Sequence, residues 1–249
     1  IPLASSRLMT SFPPTLILGA SGTGKSSSIR LLEPKDTIIF NVENKPLPFK
    51  KAVDFERSVI NWEGDANHTP AYLLKLDTAL SNKTGPKCIV LDSLGKLLDY
   101  TLIWSKSFLK GFDIYNFYND KIFNLLAKIK ANDRKFVFVF SHDELVQETM
   151  PTGANKSVRR CQVDGKKWEG KIEREFGIVL YTDVIKPDPN VKGTYSFTTQ
   201  TDSVNSAKSP EDMFQTFKIP NDLSVVMTAI KSYYEIDDLG KQFERLGNP

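Results

Sequence analysis

Gly19-Ala20-Ser21-Gly22-Thr23-Gly24-Lys25-Ser26 has the spacing G-x-x-x-x-G-K-S, set between the apolar run Thr15–Leu18 and the stretch Ser27 to Leu32. Glycines at 19, 22 and 24 let the backbone fold tightly, so that successive N–H groups point at one anion. Lys25 is then placed to neutralise β- and γ-phosphates, and the Ser26 hydroxyl to ligate Mg2+. Residues 27–32 continue as a helix whose N-terminal dipole faces the same charge. A strand-to-helix turn alone would not need this spacing. The chemistry is nucleotide binding over Gly19–Ser27.

Three more polar positions end apolar runs. Asp92 follows Cys88-Ile89-Val90-Leu91 and is placed to hold the Mg2+ hydration shell opposite Ser26, although a strand-end aspartate also caps turns. Many phosphate-loop enzymes place a glutamate next, but here Ser93 follows. Glu43, at the end of Thr37–Val42, is the available carboxylate for activating water; the plain reading is a solvated loop-edge glutamate. Ser141 and His142 close the run Lys135–Phe140, where a polar group can contact a γ-phosphate or the attacking water. His142 equally suits a core or capping histidine.

These residues need a scaffold that brings strand ends together. The chain has 249 residues, 40% hydrophobic and 25% charged, which suits one globular α/β domain over 1–249. The net charge of +3 makes any nucleic-acid surface a local patch. Cys88 and Cys161 form no disulfide framework and suit a reducing compartment. No window approaches the roughly 18 apolar residues of a membrane helix, so a cytoplasmic, membrane-free protein is expected.

In chain order the pattern predicts a polar arm over 1–13 and strands at 15–18, 37–42 and, weakly, 58–62. A proline-bearing loop at 44–48 precedes that weak strand. A helix runs from Thr69 to Ser81, with Pro70 in its first turn, before a buried strand at 87–92. Mixed helix and loop over 94–110 leads to a helix from Asp113 to Ala131 and a strand at 135–140. A long, basic, glycine-containing segment follows over 145–168, then a short helix at 171–176. Strands at 178–184 and 194–199 pair as a hairpin; a helix start falls at 209–212 and a closing helix over 221–236. Alternating strands and helices make a parallel sheet with right-handed crossovers, whose ligand lies beyond the strands' carboxyl ends.

The phosphate loop, Phe40-Asn41-Val42-Glu43, Val90-Leu91-Asp92-Ser93 and Ser141-His142 together resemble the RecA-like P-loop ATPase core, over about residues 14–200, with 201–249 as an extension. Lys45-Pro46-Leu47-Pro48-Phe49 and Ala207-Lys208-Ser209 are similar to bacteriophage-encoded nucleotide-binding proteins of this class, some resembling single-strand annealing ATPases. The resemblance implies a P-loop NTPase three-layer sandwich with a mainly parallel RecA-like sheet and a C-terminal hairpin and helix. It implies ATP and Mg2+ as ligands, and DNA-stimulated ATP hydrolysis in phage recombination or replication, in the host cytoplasm. Catalytic roles then fall to Lys25, Glu43, Ser141 and His142, and metal binding to Ser26 and Asp92.

Such proteins contact single-stranded DNA through the regions after the Mg2+ and sensor strands, here 94–118 and 143–168. The second carries Lys156, Arg159, Arg160, Lys166 and Lys167. The first carries Trp104, Phe108, Phe112, Tyr115, Phe117 and Tyr118, where helical spacing argues equally for core. The resemblance also implies a homo-oligomer with active sites between protomers, completed in trans by Lys208, Arg159 or Arg160. Two other readings fit the phosphate loop: a nucleoside or nucleotide kinase with Arg159-Arg160 in a lid, and a nucleotide-gated assembly protein with little turnover.

Overall fold

The computed structural model of the chain describes residues 12–236 apart from 150, 152, 187 and 189. The arm expected over 1–13 lies almost wholly outside the described residues, as does the end of the C-terminal extension. Eight strands form one sheet: β1 (Thr15–Leu18), β2 (Thr37–Asn41), β3 (Val59–Asn61), β4 (Cys88–Asp92), β5 (Phe136–Ser141), β8 (Ile178–Ile185), β9 (Thr194–Thr198) and β10 (Lys218–Pro220). Their order is β10-β9-β8-β1-β5-β4-β2-β3. The six from β8 to β3 run parallel; β9 and β10 add antiparallel at one edge.

Apolar side chains on both faces of the central strands require a layer on each side. On one face Leu16, Leu18, Phe40, Ile89, Leu91, Val137 and Val139 pack against α1 (Thr69–Ser81), α2 (Leu94–Lys106) and α3 (Phe112–Ala131). On the other, Ile17, Ile39, Val90, Phe138, Phe140 and Leu180 meet Ile29, Phe55 and α4 (Leu223–Tyr233). The result is the expected three-layer sandwich. Register aligns the carboxyl ends: Leu18 lies beside Ser141 and Tyr181, and Asp92 beside Phe140 and Asn41.

Four local expectations change. The helix after the phosphate loop is a 3-10 helix over Ser26–Leu31, ending where Leu32 turns extended. Pro34 keeps the chain from resuming the helix, because the residue before a proline, here Glu33, is pushed out of the helical region. The stretch 94–110 is mostly helix: Ser93 accepts from Lys96 N at α2's start, and Leu94, Leu97, Leu98 and Leu102 supply its buried stripe. Ser209–Asp212 begins no helix but a bend, with Asp212 at φ 60; the helix starts instead at Leu223, capped by Asp222.

The segment expected as a basic loop is an antiparallel hairpin, β6 (Asp143–Thr149) with β7 (Asn155–Cys161). Neither strand buries a full face, so the period-two apolar signal is missing. Polar cross-strand pairs hold it instead: Arg160 Nε on Glu144 at 2.8 Å, Gln147 on Ser157 at 2.7 Å and Thr149 on Asn155 at 3.1 Å.

Candidate nucleotide site

The cleft lies at the carboxyl ends of the parallel strands and measures about 360 Å³. Its floor is Ser21 to Ser27 of the phosphate loop; Asn41, Glu43, Lys45, Asp92, His142 and Tyr195 close its sides. Two glycines of the loop are set by close neighbours. A Cβ on Gly19 would sit 1.8 Å from Thr182 Oγ1, and Gly24, at φ +98, lies against Tyr195 and Asn221. Thr182 Oγ1 pairs with Thr23 Oγ1 at 2.5 Å and donates to the Leu18 carbonyl, so β8 braces the loop from beneath. Among the described residues the N–H groups of Gly22, Gly24 and Lys25 meet no protein acceptor. They are available to an anion, which is what a phosphate cradle requires.

Lys25 is buried and donates to the carbonyls of Gly19 and Ala20, with His142 Nδ1 3.5 Å away. Burial pushes its ammonium below the ordinary lysine value, against the pull of Asp92, Asp143 and Glu43. Ser26 Oγ donates to Asp92 Oδ2 at 2.5 Å. Burial also pushes the Asp92 carboxyl up, opposed chiefly by that hydroxyl. A buried carboxylate beside a hydroxyl, without a cation within bonding distance, is a donor set suited to Mg2+, which takes few protein ligands and keeps substrate phosphate oxygens and waters.

Glu43 stands across the cleft. Ser93 Oγ donates to its Oε1 at 2.7 Å, Lys45 Nζ to its Oε2 at 2.8 Å, and His142 Nε2 is 3.6 Å from Oε1. His142 foremost, then Lys45 and Ser93, hold the carboxyl well below the usual carboxylate range despite its burial. Ser93 therefore does two jobs, capping α2 and orienting Glu43. His142 bridges the surroundings of Lys25 and Glu43, which places it in the cleft and not in the core.

Ser141 does not reach the cleft. It is fully buried on the α2 face of β5, its hydroxyl 3.2 Å from where a Gly95 Cβ would be. The reason is the strand period: consecutive side chains leave opposite faces, so β5 can aim only one of Ser141 and His142 at a given side. Of that pair only His142 lines the cleft.

The charged residues of the hairpin are largely paired. Arg159 donates to Asp143 at 2.6 Å and Asp183 at 3.1 Å; Arg160 donates to Glu144 at 2.8 Å and Glu169 at 3.3 Å. Five acids and five bases fall between residues 143 and 169; strand pairing puts the acids of β6 opposite the bases of β7. Lys166 and Lys167 stay exposed and Lys156 half-buried. Neither Arg159 nor Arg160 lines the cleft, as a kinase lid would require. Lys208 exchanges backbone hydrogen bonds with Val179, the second residue of β8, and does not line the cleft.

The aromatics of 94–118 divide. Tyr118 is core, while Trp104, Phe108 and Phe117 pack on one another with Lys121 over two of the rings. Phe112 is 88% exposed.

Sequence reasoning missed Lys45, Asn41, Thr182 and Tyr195. Only Lys45 carried a signal, as the first basic residue beyond a strand-end glutamate. The other three are brought in by strand order.

The chain matches the AAA domain family over residues 13–210. None of the curated proteins matches it. Among solved structures it is similar to the KaiC-like protein PH0186 from the hyperthermophilic archaeon Pyrococcus horikoshii OT3. Identity there is 12% and the TM-score 0.48, with 84% of this chain and 85% of that chain covered.

Proposed function

The chain belongs to the AAA domain family of P-loop ATPases, and from that premise we propose that it hydrolyses ATP with Mg2+ in the cleft above Gly19–Ser27 and couples turnover to single-stranded DNA. One observation carries the ATPase reading: Asp92, hydrogen-bonded to Ser26, Glu43 and His142 converge on the phosphate loop from three different strand ends.

In this reading the free N–H groups of Gly22, Gly24 and Lys25 bind phosphate oxygens. Lys25 exchanges the carbonyls of Gly19 and Ala20 for the β- and γ-phosphates. Ser26 and Asp92 would hold Mg2+, which would supply charge neutralisation at the phosphates. Glu43, its Oε1 fixed by Ser93, accepts a hydrogen bond from the attacking water and takes its proton as the oxygen bonds to the γ-phosphorus. The bond to the β–γ bridging oxygen breaks, and its electron pair leaves with ADP.

The DNA reading rests on placement and composition. The β6–β7 hairpin springs from β5 just past His142, and Gln162 N donates back to the His142 carbonyl at 2.9 Å. Exposed Phe108, Phe112 and Tyr115, with nearby lysines, have the makeup of a stacking surface. Lys156, Lys166 and Lys167 are the hairpin-side cations available to phosphates; Arg159 and Arg160 join them only by releasing carboxylates. A homo-oligomer in which Lys208 completes a neighbour's site, and a role in phage recombination or replication, belong to the same proposal.

The test is calorimetric titration of Mg-ATP into the parent and into Lys25→Ala. The parent binds and the variant loses most of the affinity, because one ammonium compensates the β/γ-phosphate charge. Equal affinity in both would remove the cleft assignment.

A further inference from the structure

Lys45 is the cleft residue that the phosphate-loop chemistry leaves without a role. Its ammonium reaches Glu43 Oε2 at 2.8 Å, yet the side chain is 69% exposed and, among the described residues, held by no other side-chain bond. Its backbone, in contrast, is fixed: Asn41 Nδ2 donates to the Lys45 carbonyl at 2.9 Å and to Asn61 Oδ1 at 2.7 Å. The anchor is therefore rigid and the four-carbon arm free to swing. Lys45 shares the cleft with Lys25, and the two ammonium groups sense each other there. Two cations facing one small, solvent-filled cleft are arranged for a polyanion, since they repel without one.

A surface ion pair of this exposure contributes little to stability, so the pairing with Glu43 gives fold stability a weak reason for a lysine here. It has a stronger reason in the reaction. While Lys45 sits on Oε2 and Ser93 and His142 crowd Oε1, both oxygens of the carboxylate are engaged. Moving the ammonium a short way into the cleft frees Oε2 for water and brings a positive charge to the terminal phosphate.

We propose that Lys45 is this site's own γ-phosphate cation, holding Glu43 in the nucleotide-free cleft and transferring to the terminal phosphate when a triphosphate binds. It acts in cis, from the loop two residues beyond Glu43, whichever cation a neighbouring protomer adds. The inference rests on the ATPase reading above. A cation at the terminal phosphate faces the equatorial oxygens of the phosphoryl group being transferred, over which the transition-state charge is spread, so the residue acts on turnover as well as on binding.

The experiment compares parent, Lys45→Ala and Lys45→Arg for steady-state ATP hydrolysis and for calorimetric affinity toward ADP and a non-hydrolysable ATP analogue. Lys45→Ala is expected to lower kcat by roughly 10-fold or more and to bring analogue affinity down toward that for ADP, with ADP affinity kept. Lys45→Arg, which keeps the charge, restores most of both. Thermal melts of all three should coincide, because the side chain is exposed. Parental kcat and a parental analogue-to-ADP ratio in Lys45→Ala would reduce the contact to a local ion pair. A parent that hydrolyses no ATP would overturn the ATPase reading and this inference together, whereas parental turnover with an inert Lys45 overturns the inference alone.

Discussion

At the scale of single residues, the cleft separates charge from reactivity. Glu43 is ionised and heavily solvated by protein donors, so it accepts a hydrogen bond readily while its basicity is low. Such a group orients water first and takes the proton late, when the γ-phosphorus–oxygen bond is already forming. Replacing it by an amide of the same shape keeps the packing and removes the acceptor. Glu43→Gln is therefore expected to bind Mg-ATP as the parent does and to lose about 10²-fold or more in kcat. Steady-state hydrolysis beside calorimetry checks this; undiminished turnover would transfer the water-activating role to His142, the other cleft group beside Lys25.

At the scale of elements, the β6–β7 hairpin is stapled to the main sheet by Arg159. Its guanidinium spans Asp143 on β6 and Asp183 on β8, with Tyr181 beneath it, and the Arg159 backbone N–H donates to the Val204 carbonyl. Asp183 also accepts from Thr198 on β9 at 2.6 Å. Burial works against the Asp183 carboxylate, but Thr198 and Arg159 outweigh it and hold its pKa below the ordinary 3.8. A carboxyl depressed in the folded state contributes stability that is complete above its unfolded value and is lost as pH falls through the folded one. The hairpin's protection from hydrogen exchange should hold at neutral pH and decline only below about pH 4. Asp183→Asn should loosen residues 143–161 above about pH 4, by about 1–2 kcal/mol, between the exposed and buried cases, and converge with the parent at lower pH, where the parent's carboxyl is itself protonated. Exchange in β1 and β4 should stay parental. Loss of protection across the whole sheet would show that the pair supports the fold and not the hairpin.

At the scale of the whole molecule, the mild net charge of +3 and the internal neutralisation of the hairpin leave few cations for nucleic acid. Lys156, Lys166 and Lys167 are the ones to test. Each phosphate contact with a single strand contributes about 0.7 to the log–log salt slope. Replacing all three by alanine should lower the slope by about 2 and weaken binding to every sequence alike. Fluorescence anisotropy with a labelled oligonucleotide over a salt series measures it. A parental slope would take the hairpin out of the surface and leave the aromatic cluster around Phe108 and Phe112 as the contact. Among the described residues no helix is long and apolar enough to cross a membrane.

The parts legible from sequence were those written in local terms. The spacing from Gly19 to Ser26 specifies its loop because the chemistry needs those residue types within one turn. Buried parallel strands announced themselves at 15–18, 37–42, 87–92 and 135–140, since burial on both faces leaves an uninterrupted apolar run. The helix Thr69–Ser81 was readable to its ends from Pro70 and the spacing of its apolar residues. Asp92 and Glu43 followed, because each closes such a run, and so did the pair Ser141 and His142, which end the run of β5 together. What the tertiary structure alone decided were matters of facing and pairing. Whether Ser141 or His142 enters the cleft depends on which side of β5 the phosphate loop lies, and that is set by strand order. The basic look of 145–168 dissolved once β6 folded back on β7, because the neutralising acids Asp143 and Glu144 precede that stretch and meet Arg159 and Arg160 only across a hairpin. Thr182 and Tyr195 reach the loop from more than 150 residues away along the chain, on a hairpin whose two strands local pattern pairs with each other but not with β1. Periodicity reports whether a side chain is buried; only the packed sheet reports what it is buried against.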